Sequence, residues 1–119
     1  MTKSRFPSAV YAHGTEPDAR FTLANERTFL AWIRTSLALI AGGVALGVLG
    51  LEMHPGLRVA ASVVLLAMGI VTPALAWTNW IRTERALRLA QPLPASFLGP
   101  VLGLAVTIAG ILLVLAILL

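Results

Sequence analysis

Three long stretches of the chain carry no charged residue: Thr35 to Leu51, Val59 to Ile81 and Gln91 to Leu119. A helix needs roughly 20 residues to cross a hydrocarbon core about 30 Å thick, and the second stretch meets that length outright. The first has only 17 residues between Arg34 and Glu52. Its helix must therefore borrow length from the preceding segment, with Arg34 snorkelling toward the interface. Upstream, Leu23, Leu30, Ile33 and Leu37 recur at helical spacings, with Thr22 or Asn25 as caps. This predicts one helix over about 22–51, half interfacial and half spanning.

Proline marks the other two helices. Pro92, Pro94 and Pro100 stand near the start of the third stretch, predicting a helix over about 97–119 with proline in its first turn. Pro73 lies inside a helix predicted over about 58–88, and the bilayer tolerates the resulting kink if a neighbouring helix satisfies the freed carbonyl. Residues 1–19 hold two prolines, a glycine and no apolar period, which predicts a flexible tail. The fold expected is an all-α integral membrane bundle of three helices. Its first helix is extended on the cytoplasmic side by an amphipathic segment, and its second is kinked at Pro73.

Composition agrees with lipid as the main solvent. Of 119 residues, 58% are hydrophobic and 12% charged, and mean hydropathy is +0.88, too apolar for a polar shell around a soluble core. Apolar sequence begins too late for a cleavable signal peptide, so the first span reads as an uncleaved anchor. The net charge of +4 sits in the flanks of the apolar runs, where topology signals belong, which argues against nucleic-acid binding. Lys3, Arg5, Arg20, Arg27 and Arg34 precede the first span; Arg82, Arg85 and Arg88 follow the second; Arg58 alone marks the first connection. An N-terminus and second connection in the cytoplasm, with the first connection and C-terminus outside the plasma (inner) membrane, follow from that asymmetry. Trp32, Trp77 and Trp80 fall where interfacial aromatic belts are expected.

Chemistry-bearing residues are few. Cysteine is absent, which excludes disulfides and thiolate catalysis. His13 and His54 stand alone, so a metal site is not expected, nor is a cofactor. No phosphate loop, nucleophile elbow or Ser/His/Asp set is present, and a catalytic role ranks last.

Arg20, Arg27 and Arg34 are spaced by seven, forming one stripe that drifts about 20° per heptad on a helix. The stripe continues as Ala38, Ala41 and Ala45. Two readings compete: cytoplasmic anchors on lipid phosphates, the commoner role of such residues, or a basic path for an anion beside a close helix interface. Arg82, Arg85 and Arg88 face the same choice, and Glu84 is expected to pair with Arg88 one turn on. Glu26, about to enter the membrane, should be paired, capping or functional; Asn25 shares that ambiguity. Gly43 and Gly47, and Gly99 and Gly103, form two Gly-x-x-x-Gly pairs suited to close helix packing.

The stretch LANERTFLAWIRTSLALIAGG, from Leu23 to Gly43, resembles the signature of the YidH-like family of membrane proteins, the domain of unknown function 202. WIRTERALR followed by PLP, from Trp80 to Pro94, is similar to that family's second connection. The resemblance covers about residues 20–119. It implies kinship with the three-helix membrane domain of the vacuolar transporter chaperone complex, which makes polyphosphate and passes it across a membrane. A pentameric bundle with basic residues lining an anion path is implied with it. Carried over by motif, those positions fall on Arg20, Asn25, Glu26, Arg27 and Arg82. No polymerase or phosphate-sensing domain accompanies them here, so synthesis cannot reside in this chain.

The expectation that results is a homo-oligomeric membrane module that binds or conducts an anion such as phosphate or polyphosphate, with membrane lipids as its other partners. Arg20, Arg27, Arg34 and Arg82 are its anion ligands or pore lining, and Asn25 and Glu26 support them. The alternative is a structural or accessory subunit of another membrane complex, held by helix faces. Proton-coupled transport ranks below both, because Glu26 and Glu52 flank the first span rather than sitting at mid-bilayer.

Overall fold

The computed structural model describes residues 5–49 and 52–119; Lys3 and positions 50 and 51 of the first expected span lie outside the described residues. The described chain is helical throughout its ordered elements: α1 (Ser8–Tyr11), α2 (Ala19–Val48), α3 (Pro55–Arg88) and α4 (Leu98–Leu118). The last three are long and apolar enough to cross a membrane. At 1.5 Å per residue, α2 and α3 run to about 45 and 50 Å against about 30 Å of hydrocarbon. Both therefore have length to spare, and α4 does not.

Local chemistry sets the helix ends. α2 starts three residues before Thr22 because Asp18 caps it, accepting from the Arg20 N–H at 2.9 Å. Arg20 returns along its own cap, its guanidinium 2.9 Å from Asp18 Oδ2, and this side-chain hydrogen bond, with the backbone one, holds the Asp18 carboxyl below its ordinary range. Thr22 and Asn25 lie inside the helix instead of capping it. α3 is capped by His54, whose Nδ1 accepts from Leu57 N at 3.2 Å, with Pro55 opening the first turn. It closes on Ala90 at φ 52°, where Ala90 N and Gln91 N reach back to Leu87 O and Ala86 O at 3.3 and 2.9 Å. Glycine is the usual residue in that left-handed cap. Pro100 occupies the first turn of α4, where no N–H is needed.

α2 and α3 cross antiparallel through a reciprocal pair of hydrogen bonds. The Ser36 hydroxyl donates to Gly69 O at 2.5 Å, and the Ser62 hydroxyl donates to Gly43 O at 2.6 Å. Both donors are buried. On each helix serine precedes glycine by seven residues, so one antiparallel register satisfies both bonds. The glycines permit the approach: a Cβ on Gly69 would lie 2.5 Å from Ile40 Cγ1, and one on Gly43 would lie 2.6 Å from Leu66 Cγ. Pro73 gives Gly69 a further role. A proline has no N–H for the carbonyl four residues earlier, and Gly69 O is that carbonyl. Ser36 supplies the missing donor from the neighbouring helix. α3 continues as one helix through Pro73.

α4 lies antiparallel against α3, presenting Leu98, Leu102, Ala105, Ala109 and Ala116, and His54 N donates to Ala116 O at 2.8 Å. No Cα of α4 lies within 8 Å of one in α2. The three long helices thus form the expected all-helical arrangement, with α3 between α2 and α4. Gly99 and Gly103 take no part in it, since a Cβ on either meets nothing within 4 Å.

The segment expected to be a free tail folds back on α3 from Arg5 onward. Pro7 and Val10 are buried, and the Thr15 N–H donates to Arg88 O at 3.1 Å. The Arg88 guanidinium, itself buried, donates to His13 O at 2.7 Å, Tyr11 O at 3.4 Å and Glu16 at 3.2 Å. Gly14, at φ 64°, passes so near Arg88 O that no side chain fits. Arg5 pairs with Glu16 and covers the Tyr11 ring, while Phe6 stacks on Trp77 at 6.3 Å. These contacts displace the expected Glu84–Arg88 pair: the strap offers Arg88 two carbonyls and a carboxylate, and Glu84 turns toward α2.

The two classes of glycine should separate on substitution. Gly69→Ala and Gly43→Ala are expected to cost about 1–3 kcal/mol by overpacking, whereas Gly103→Ala leaves the unfolding free energy in mixed micelles unchanged or raises it slightly. Equal losses at all three positions would contradict the crossing described.

Candidate functional site

Antiparallel packing gathers the polar residues of two helices at one end of the molecule. Seven-residue steps carry the α2 face that meets α3 from Gly43 through Ser36 and Phe29 to Thr22, with Asn25 and Leu39 alongside. At the far end of that face Asn25, buried, donates its amide to Trp80 O at 3.1 Å and to Glu84 Oε1 at 3.3 Å. Thr22 donates its hydroxyl to Glu84 Oε2 at 3.3 Å. Glu84 is 1% exposed, and none of the described ion pairs includes it. Its carboxylate is held by two neutral donors from the opposite helix. Removing either leaves a buried oxygen without a partner, a cost larger than the bond's own net value.

Below this clasp the aromatic side chains stack: Trp77 lies on Trp80 at 5.1 Å, with Phe29 edge-on at 5.9 Å.

The arginines expected at the site divide between two faces. Arg20, Arg27 and Arg34 each stand two residues before Thr22, Phe29 and Ser36, about 200° round the helix, and so point away from α3. All three are exposed, as are Glu26 and the adjoining Ala38 and Ala41. Arg20 is engaged by Asp18. Arg82 is exposed on α3 and lines a cavity of about 160 Å³ with Thr78, Asn79, Ser96 and Phe97. The stripe and Arg82 therefore share an end of the molecule but not a face. Of the two expected supporting residues, Asn25 bonds to Glu84 and Glu26 is exposed, and the packing glycines divide into Gly43, which is buried, Gly47, whose Cβ would sit 3.8 Å from Ser62 Oγ, and the open Gly99 and Gly103.

Glu84 and Thr22 were legible in principle. Glu84 falls at helical spacing from Gly69, Pro73, Trp77 and Trp80, on the stripe that α2 covers, and only its proximity to Arg88 suggests an exposed pair. Asn79 carries no sequence signal; its place between two cavities depends on where α4 packs.

The buried clasp predicts a contrast. Asn25→Leu, which removes both amide donations, should lower the unfolding free energy by about 2 kcal/mol, and Glu84→Gln, which keeps an acceptor for Thr22, should lower it less. A larger loss for Glu84→Gln than for Asn25→Leu would mean that the negative charge, not the hydrogen bonding, holds the helices.

A family model described as Domain of unknown function (DUF202) matches residues 20–86. The uncharacterized protein Rv2272 of Mycobacterium tuberculosis is 50% identical over 84 residues, covering 70% of this chain and 69% of that protein. Inner membrane protein YidH of Escherichia coli K12 is 43% identical over 82 residues, covering 68% of this chain and 71% of its own length. No solved structure matches the chain.

Proposed function

The chain belongs to the DUF202 family, and we propose that this small membrane protein is an oligomeric inner-membrane module that binds or conducts an anion such as phosphate or polyphosphate. The observation that carries the reading is the exposed stripe of Arg20, Arg27 and Arg34 on the face of α2 opposite α3. Intrachain packing leaves that face open. The neighbouring Ala38 and Ala41 would let an equivalent helix of a second copy approach closely. In such a homo-oligomer, a pentamer by family resemblance, stripes from several chains would converge and give an anion more charge than one chain holds. Arg82 adds a cation at the same end, and Asn25 ties α2 to α3 there through Trp80 O and Glu84. YidH's description as an inner membrane protein supports the location, and the cation excess at this end supports a cytoplasmic N-terminus and an external C-terminus. Catalysis has no place in this reading.

A second reading, an accessory subunit without transport, has support from the open Gly99 and Gly103 face of α4, which suits a helix of another membrane protein.

Purified wild-type protein in lipid nanodiscs should bind soluble polyphosphate, and Arg27→Ala should weaken that binding about tenfold, the loss of one charge-assisted contact. Titration calorimetry reads the difference. Identical affinities, or no binding by wild type, would leave the accessory reading in possession, and Gly103→Leu disrupting co-purification of a partner would then support it.

A further inference from the structure

Two cavities adjoin on one side of α3. The first, about 210 Å³, lies between α2 and α3 under Leu93 of the proline-rich connection, and its polar lining is Asn25, Thr28, Asn79 and Thr83. The second, about 160 Å³, lies between α3 and the start of α4, and its polar lining is Thr78, Asn79, Arg82 and Ser96. Asn79 lines both. Neither lining contains an acid. The remaining walls are apolar: Phe21, Leu87 and Leu93 around the first, Leu75, Phe97 and Leu98 around the second. Because the Cα atoms of α2 and α4 stay more than 8 Å apart, the side of α3 between them is open to whatever lies in the membrane.

We propose that these joined cavities seat the headgroup and glycerol region of an anionic phospholipid, its acyl chains passing down α3 between α2 and α4. Three features select that occupant. Arg82 is the first charged residue after the uncharged run Val59 to Ile81, so the cation stands at the apolar boundary, where a lipid phosphate lies. One cation with no acid in the lining matches a single phosphodiester, and Asn79, Thr83 and Ser96 offer donors to uncharged ester and glycerol oxygens, whereas Asn25, Thr28 and Thr78 already donate to Trp80 O and Glu84, to Ala24 O and to Ala74 O. Aromatic and leucine walls suit an amphiphile and repel a fully hydrated soluble anion. The inference rests on the anion reading only in giving Arg82 an anionic ligand; it is independent of the arginine stripe on α2.

Full-length protein extracted in mild detergent and examined by native mass spectrometry provides the test. Wild type is expected to retain phospholipid and, after exchange with a mixture of phosphatidylglycerol and phosphatidylethanolamine, to prefer phosphatidylglycerol. Arg82→Ala and Asn79→Leu should each reduce retained phosphatidylglycerol about tenfold. Arg82→Lys should keep much of it, and Arg27→Ala all of it. Wild type free of lipid, or retention unchanged in both Arg82→Ala and Asn79→Leu, would overturn the proposal. Displacement of the lipid by inorganic phosphate would also overturn it, by assigning the site to the free anion. The wild-type lipid preference needs no variant to fold, so its absence alone is decisive. Loss of polyphosphate binding in Arg27→Ala with lipid retention intact separates this proposal from the fate of the stripe reading.

Discussion

One hydrogen bond sets where everything else in this molecule lies: the Ser36 hydroxyl on the carbonyl of Gly69. Pro73 strips that carbonyl of its helical donor, and in hydrocarbon no water replaces it. A second helix must bring a donor to within bonding distance, which requires a short side chain on α2 and no side chain on α3. Serine and glycine meet those two conditions, and the reciprocal Ser62–Gly43 bond fixes the register as well as the approach.

From that register the polar end follows. Sliding α2 by one turn would break both serine bonds and also carry Asn25 away from Trp80 O and Glu84, so the clasp and the crossing reinforce each other. The arginine stripe is a consequence of the same geometry, because the face that meets α3 determines which face is left open. The N-terminal strap adds a third tie, burying Arg88 under backbone carbonyls where α3 would otherwise fray.

The sequence made the apolar architecture plain and the polar contacts obscure, for a physical reason. Three uncharged runs of sufficient length admit few alternatives, and the requirement that a neighbour satisfy the carbonyl freed by Pro73 follows from proline chemistry alone. The starts of α2 and α3 lie three residues before the expected ones because the side chains of Asp18 and His54 accept first-turn N–H groups there. Glu84 was misread because one turn separates it from Arg88, and nothing local reveals that residues from Tyr11 to Glu16 return to claim Arg88 first. Likewise Gly99 and Gly103 have the spacing of a packing pair, but spacing does not tell which face a helix turns to its neighbour. The separation of Arg82 from the α2 stripe is tertiary information of the same kind.

The coupling of Ser36 to Pro73 is the most direct measure of whether a proline-freed carbonyl organises the fold. In a double-mutant cycle, Pro73→Ala restores an N–H that takes Gly69 O within α3, so Ser36→Ala should cost about 1 kcal/mol less in that background than in wild type. Unfolding free energies that add within about 0.3 kcal/mol would contradict the role given to this bond and, with it, the reason for the register that places the basic end.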